Sequence, residues 1–177
     1  VFSDEAGLRI QEVIEDARLN QDSVGGVVEA AVVGLPVGLG EPMFDGLESK
    51  LASILYAIPA VKGVEFGDGF GVAELFGSEN NDPFYFDENG NVKTTTNHHG
   101  GSLGGISSGM PLVLRVAFKP TPSISREQNT IGMESGQNET VRVIGRHDPC
   151  IVPRAVPCVE AAMAVAILDL YELQQKK

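Results

Sequence analysis

Two short segments of the chain combine charged and hydroxyl-bearing side chains that suit phosphate and proton chemistry. The first, residues 119–123 with the sequence KPTPS, presents one ammonium group and two hydroxyls on backbone that two prolines keep extended. The second, residues 145–150 with the sequence GRHDPC, places Arg146 and Asp148 just ahead of a long apolar helical pattern. A guanidinium can neutralise phosphate oxygens, and a well-placed carboxylate can take part in proton transfer. These segments are therefore the first candidates for a site.

Each of these side chains also has an ordinary structural interpretation. A lysine at the end of a strand, as Lys119 is predicted to be, is usually solvated, and Asp148 before a proline suits the N-cap of the final helix as well as it suits catalysis. Arg154 would either bind an anionic substrate or pair with a nearby carboxylate. His98 and His99 fall in a predicted loop, where histidines are mostly surface residues, and they are not counted among the catalytic candidates.

A glycine-rich stretch, residues 100–109, precedes the strand pattern at residues 112–118. Five of its ten residues are glycine and three are serine. Glycines let backbone N–H groups approach a phosphate or a flavin edge, because no side chain intervenes. The stretch is neither a P-loop nor a dinucleotide fingerprint, and a tight connection with positive φ angles is the structural alternative. We expect it to pack few side chains and to be mobile without a ligand.

The overall charge limits the classes of partner. The chain of 177 residues carries a formal net charge of −11, which disfavours sequence-independent nucleic-acid binding because that requires a basic face. An anionic substrate would then need a local basic pocket. No apolar run is long enough to span a bilayer. Cys150 and Cys158 are expected to be reduced thiols in a cytoplasmic protein, and no metal site is predicted.

Hydrophobic spacing predicts interleaved helices and strands, and hence an α/β or α+β domain. Helices are predicted over residues 4–19, 42–58, 71–76 and 153–174, the first with Ser3 as its N-cap. Strands are predicted over residues 24–33, 61–66, 84–86, 92–96, 112–118 and 141–144. The strands at 84–86 and 92–96 are expected to form a hairpin with a two-residue Asn89-Gly90 turn. Residues 125–139 are expected to be polar and exposed.

Longer motifs make the resemblance to one known family specific. They occupy residues 38–45 (GLGEPMFD), 58–70 (IPAVKGVEFGDGF), 97–109 (NHHGGSLGGISSG), 115–124 (RVAFKPTPSI) and 146–157 (RHDPCIVPRAVP). In this order, and over nearly the whole chain, they resemble the second half of chorismate synthase. The motifs of that family's first half, which carry its catalytic histidines and several arginines, do not occur here. The resemblance therefore implies that residues 1–177 form a single domain, the C-terminal flavin-binding portion of a chorismate synthase-like chain.

The resemblance implies an α+β fold in which an antiparallel sheet packs against helices as half of a β-α-β sandwich. It implies a lyase of the shikimate pathway of aromatic amino acid biosynthesis, which eliminates phosphate from 5-enolpyruvylshikimate 3-phosphate to give chorismate. It also implies a reduced FMN cofactor, a homotetrameric full-length protein and a cytoplasmic location, with no nucleic-acid or membrane partner. Whether NADPH reduces the flavin on the protein itself or an outside reductase does so is left open.

The resemblance also assigns roles to residues of this chain. Asp148 is the implied catalytic residue, and Arg146 and Arg154 are the implied substrate ligands. The implied cofactor-binding residues are Pro59, Ala60, Gly104, Lys119, Pro120, Thr121, Pro122, Ser123 and Arg146. Two alternatives remain for the chain by itself: an inactive flavin-binding or assembly fragment that needs the missing half, or a structural fragment with an empty site.

Overall fold

The computed structural model describes residues 3–176 and has an α+β fold. The helices are α1 (Asp4–Leu19), α2 (Leu47–Tyr56), α3 (Gly77–Asn80) and α4 (Val152–Gln175), with two short 3-10 segments at Met43–Asp45 and Gly69–Glu74. The strands are β1 (Gly26–Val32), β2 (Val61–Phe66), β3 (Phe84–Phe86), β4 (Val92–Thr94), β5 (Ser102–Leu103), β6 (Ile106–Ser107), β7 (Leu112–Phe118), β8 (Gln128–Gly132) and β9 (Gln137–Val141). No helix within residues 3–176 is both long enough and apolar enough to cross a membrane.

The described residues fall into two compact units. The first unit contains the residues up to Gly26 together with Phe118–Arg154, and the second contains Val27–Ala117 together with the residues from Ala155 onward. The expectation of one domain over residues 1–177 stays a prediction.

The core of the second unit is built on the strand order β1-β7-β2. Along β7 every second residue is buried, and Leu112, Leu114 and Val116 are fully enclosed. This period of two places one face of the strand in the core and leaves the other partly open. Three fully buried leucines spaced four residues apart, Leu47, Leu51 and Leu55, form the inner stripe of α2, which contacts β2.

In the first unit, α1 begins as predicted. The Ser3 hydroxyl accepts a hydrogen bond from the Ala6 N–H at 3.1 Å, which satisfies one of the donors that a helix start leaves unpaired. The segment predicted to be polar and exposed is largely exposed, and it also contains most of the antiparallel hairpin β8–β9. The strand predicted at residues 141–144 is wrong, because β9 already ends at Val141 and the chain then runs without regular structure to α4.

Two predicted elements of the second unit are wrong in detail. The helix predicted over residues 42–58 begins only at Leu47, because Met43 has a φ of 66° and Gly46 is extended with a ψ of 152°, and a right-handed helix passes through neither. The hairpin of β3 and β4 pairs Phe86 with Val92, so its turn has five residues and not two. The Asp87 carboxylate closes that turn by accepting the N–H groups of Asn89 and Asn91.

The glycine-rich stretch is packed, contrary to the expectation that few of its side chains would pack. It folds into the small antiparallel hairpin β5–β6, and Ser102 and Ser107 are both buried. The Ser107 hydroxyl donates to the Pro36 carbonyl at 2.6 Å and accepts the Leu39 N–H at 2.8 Å. A side chain at position 101 would place its Cβ 2.5 Å from the Pro111 carbonyl oxygen. The absence of a side chain at Gly101 therefore lets the backbone there pack closely against the backbone of Pro111.

Alanine substitutions at two glycines of this stretch distinguish the stability lost through steric overlap from the stability lost through backbone strain. Gly101 and Gly104 both have positive φ, 84° and 61°, but a Cβ at position 104 would meet no atom within 4 Å. We expect Gly104→Ala to lose roughly 1–2 kcal/mol of stability from backbone strain alone. Gly101→Ala should lose about 1–3 kcal/mol more through overpacking. Urea unfolding measures both, and equal losses would contradict the close packing at Gly101.

Candidate functional site

The first unit contains a cavity of about 770 Å³ near the end of α1 and the start of α4. Its charged and titratable lining residues are Arg18, Asp22, Arg146, His147, Asp148 and Arg154. Three arginines against two aspartates give this cavity a positive balance in a chain whose formal net charge is −11. The local basic pocket that an anionic substrate would need is therefore present.

Asp148 is held in this cavity by two contacts. One carboxylate oxygen, Oδ1, accepts a hydrogen bond from the Cys150 N–H at 3.3 Å, and the other, Oδ2, lies 3.2 Å from Arg154 Nε. The N-cap interpretation of Asp148 is wrong, because α4 begins four residues later, at Val152. Of the interpretations of Arg154, pairing with a carboxylate is confirmed. The Asp148 side chain is 27% exposed, although its Oδ2 atom is buried.

The opposite wall of the cavity comes from the end of α1. Arg18 makes a bidentate pair with Glu15, at 2.7 Å from Nε and 2.5 Å from Nη2, which lowers the pKa of Glu15. Asp22 accepts the Ser23 N–H and pairs with Arg126 Nη1 at 2.7 Å. These two contacts hold the pKa of Asp22 below its ordinary range, the backbone hydrogen bond contributing more than the arginine. Asp22 therefore remains charged and neutralises part of the arginine charge.

Residues 119–123, which we call the cradle segment, also belong to the first unit. Lys119, Pro120, Pro122 and Ser123 are exposed. Thr121 differs, because its hydroxyl oxygen is buried and has no hydrogen-bond partner among the described residues. Its carbonyl accepts a hydrogen bond from the Ser23 hydroxyl at 2.6 Å. A buried hydroxyl without a partner is costly, and it is the kind of group that a bound ligand satisfies.

The other predicted cofactor-binding residues lie in the second unit. Pro59 is exposed, and Ala60 has a φ of 74°, a left-handed conformation that residues with a Cβ rarely adopt. Gly104 is exposed, with open space where a Cβ would stand. The predicted residues that line the cavity are Arg146, Asp148 and Arg154. Pro59, Ala60 and Gly104 belong to a different compact unit from that cavity.

Two histidine–aspartate pairs in the second unit were not predicted. His98 Nδ1 lies 2.5 Å from Asp68 Oδ2, and His99 Nδ1 lies 3.2 Å from Asp82 Oδ2. The expectation that both histidines are surface residues is wrong for His99, whose side chain is 7% exposed. Asp82 accepts the hydroxyl of Thr96 and the N–H groups of His98 and His99. This carboxylate therefore organises the start of the glycine-rich stretch.

Parts of the cavity wall, Arg18 and Asp22, were also missed from the sequence. The signal for Asp22 was the polar run Asn20-Gln21-Asp22-Ser23 between a helix and a strand, which is typical of an ordinary connection, and Arg18 lies in the last turn of α1. Nothing in a single sequence shows that this connection lies beside residues 146–154. The connection and residues 146–154 are more than 120 residues apart along the chain, and only the folded structure brings the two segments together.

The fold and this cavity define an α+β protein with an arginine-lined site suited to an anionic ligand. The chain belongs to the chorismate synthase family, whose model, described as "Chorismate synthase", matches residues 1–171. It is 56% identical over 164 residues to the chorismate synthase of Methanothermobacter thermautotrophicus, covering 93% of this chain and 44% of the relative. It is 51% identical over 167 residues to that of Korarchaeum cryptofilum, covering 94% of this chain and 46% of the relative.

A solved structure agrees with the family assignment. A crystal structure of chorismate synthase superposes with a TM-score of 0.75 at 30% sequence identity, covering 94% of this chain and 42% of that one. The α+β fold and the family expected from the sequence are thus confirmed. The chain spans less than half the length of each of these relatives.

The His98–Asp68 pair allows a direct test of the local electrostatics. The hydrogen bond from His98 to Asp68 raises the pKa of His98 above its ordinary value of 6.5, and burial lowers the pKa of His99 below it. The stability contributed by the raised His98 pKa is fully present below about pH 6.5 and is lost as pH rises through the folded-state pKa. We expect Asp68→Asn to bring the His98 pKa down toward 6.5, as followed by NMR titration. His99 in the same spectra is the internal control, and an unchanged His98 pKa would refute the pairing.

Proposed function

We propose that the full-length gene product carrying this chain is a chorismate synthase. It would eliminate phosphate and a proton from 5-enolpyruvylshikimate 3-phosphate to give chorismate in the shikimate pathway of aromatic amino acid biosynthesis. The observation that carries the proposal is the cavity in which Arg146 and Arg154 accompany the oriented carboxylate of Asp148. Membership of the family supports the choice of reaction.

The residues of this chain fit a flavin cofactor, FMN in its reduced form. The buried hydroxyl of Thr121 has no partner among the described residues and can hydrogen bond to a ligand. Lys119 and Ser123 are exposed next to it and can supply a positive charge and a second hydroxyl. We assign Pro59, Ala60, Gly104, Pro120, Pro122 and Arg146 to the same cofactor from the family resemblance. When bound, reduced FMN supplies the transient electron that this redox-neutral elimination needs.

The arginines act on the substrate's phosphate. Arg146 and Arg154 place two permanent positive charges in one cavity, where they can bind the phosphate and stabilise its negative charge as the bond to carbon breaks. Arg154 also holds Asp148, so it links phosphate binding to the position of the carboxylate.

Asp148 is assigned the proton-handling role. Its Oδ1 is occupied by the Cys150 N–H and its Oδ2 by Arg154, so the carboxylate has a defined orientation before any substrate enters. A general acid or base gains its effect from such placement, because the proton it moves must lie within hydrogen-bond reach. The carboxylate as a whole is the group to which we assign the proton transfer.

The remaining properties of the full-length protein are proposed from the family alone. They are a homotetrameric assembly, a cytoplasmic location and no nucleic-acid or membrane partner. The reductant of the flavin, NADPH or a separate reductase, is not assigned. The net charge of −11 supports the absence of a nucleic-acid partner.

A second candidate applies to the 177-residue chain by itself: a flavin-binding or assembly portion without turnover. It is favoured because the chain covers 44% of the length of its relative from Methanothermobacter. We expect this chain with reduced FMN and substrate to form no measurable chorismate, because loss of general acid–base groups alone costs about 100- to 10,000-fold. Absorbance assay of chorismate tests this, and quenching of FMN fluorescence shows separately whether the chain binds flavin. Chorismate formation by the chain alone would refute the second candidate.

Substitution of Asp148 tests the catalytic assignment in the full-length gene product. Asp148→Asn keeps the shape of the side chain and an oxygen for the Cys150 N–H, but it cannot carry a proton as a carboxylate does. We expect turnover to fall by about 100-fold or more with the fold intact.

The matched control is Asp87→Asn, since Asp87 also closes a turn by accepting backbone N–H groups but lies in the hairpin of β3 and β4. This control should retain near-normal turnover. Chorismate assays and circular dichroism on both variants provide the comparison. Near-normal turnover in Asp148→Asn would remove Asp148 from the mechanism and leave it a turn-forming residue.

A further inference from the structure

The connection that follows α1, residues 21–25, contacts the cradle segment and the backbone next to Asp148. We call these residues the α1 turn. We infer that the α1 turn is the positioning element of the site, and that Ser23 is a positioning residue that sets the cradle segment for its flavin. The inference rests on the proposed function for the identity of the ligand, but the contacts are those of the chain itself.

The shortest of these contacts joins Ser23 to the cradle segment. The Ser23 hydroxyl donates to the Thr121 carbonyl oxygen at 2.6 Å, and both residues are partly buried. Thr121 is also the residue whose buried hydroxyl has no partner among the described residues. Holding the carbonyl fixes the backbone of Thr121, and the restricted χ1 of a β-branched residue then limits where the hydroxyl can point. Ser23 therefore acts on the ligand-facing group through Thr121.

The same turn holds the chain just beyond the cradle segment. Asp22 pairs with Arg126 at 2.7 Å, and the Gln21 side-chain oxygen accepts from Arg142 Nη2 at 3.0 Å. Arg142 Nε in turn donates to the Ser125 carbonyl at 2.7 Å. The ion pair is largely exposed, with side chains 58% and 37% accessible, so by itself it adds little stability. Its effect is to limit the freedom of residues 125–126.

Two further contacts connect the α1 turn to the remaining parts of the site. A side chain at Gly25 would place its Cβ 2.3 Å from the Phe118 carbonyl, so the backbones approach as closely as a glycine allows. The Val24 N–H donates to the Pro149 carbonyl at 2.9 Å. Pro149 follows Asp148 directly, and Phe118 precedes Lys119. The turn therefore aligns the catalytic carboxylate and the cradle segment against one shared stretch of backbone.

The partly buried hydrogen bond of Ser23 is the contact whose loss should matter most, since exposed ion pairs contribute little and the backbone contacts survive side-chain substitution. Small displacements of binding groups reduce ligand binding and catalysis steeply. We expect Ser23→Ala in the full-length gene product to weaken FMN binding by about 2- to 10-fold. In the flavin-free protein, amide exchange in residues 119–126 should accelerate by a similar factor, with the hairpin at residues 128–141 unchanged.

Three companion variants make this result specific. Ser23→Thr keeps the hydroxyl and should restore both readouts. Ser23→Cys keeps the volume with a weak donor, and it replaces the alanine variant if that one does not fold. The control is Ser3→Ala, which removes the N-cap of α1 in the same unit. It should cause a modest loss of stability, like Ser23→Ala, but it changes no contact of the cradle segment.

Titration of FMN by fluorescence quenching and hydrogen exchange of the flavin-free protein are measured on all variants. Exchange in residues 119–126 that is unchanged in Ser23→Ala, or equally raised in Ser3→Ala, overturns the positioning role. Faster exchange with unaltered FMN affinity overturns the link to the flavin. If the wild-type protein does not bind FMN, the proposed function fails, and the exchange result alone decides whether Ser23 holds Thr121.

Discussion

Burial of one face of β7 is the constraint on which the rest of the structure depends. Leu112, Leu114 and Val116 are fully enclosed, and the strand lies between β1 and β2. Because side chains alternate along a strand, a slip of one residue would exchange the buried and open faces, so the register is strongly specified. The chain leaves β7 at Phe118 and continues at once into the cradle segment. The hydrophobic register of β7 thus determines which of its side chains enter the core of the second unit.

The cavity shows how an acidic chain can collect positive charge in one place. Three arginines line it, and two of them are paired with carboxylates, Arg18 with Glu15 and Arg154 with Asp148. Such pairs hold the guanidinium groups in place while the excess of positive charge remains. Net charge influences solubility and long-range attraction. Binding depends on which charged side chains the fold brings together in one cavity.

Elements set by local pattern were predictable, and those set by distant contacts were not. The helix at Asp4–Leu19 and the strand at Leu112–Phe118 follow from capping and periodicity and are confirmed with their predicted bounds. The break before α2 depends on a left-handed Met43 and an extended Gly46, and the buried His99 pairs with Asp82, so neither is visible in the local sequence. Of the candidate site, Arg146, Asp148 and Arg154 were identified from their motif. The wall from α1 was missed, because a polar connection carries no sign of what it will face.

The hydrogen bonds described here also imply an order of folding. Asp82 binds His99 across 17 residues, whereas Ser23 reaches Thr121 across 98 and Gln21 reaches Arg142 across 121. Closing a longer loop costs more entropy, so contacts within residues 82–99 can form early and the α1 turn meets its partners late. During synthesis the α1 turn can form its contacts only after residues 121–149 have been added to the chain. A chain interrupted before that point would lack the partners that Gln21, Ser23 and Val24 contact in the complete fold.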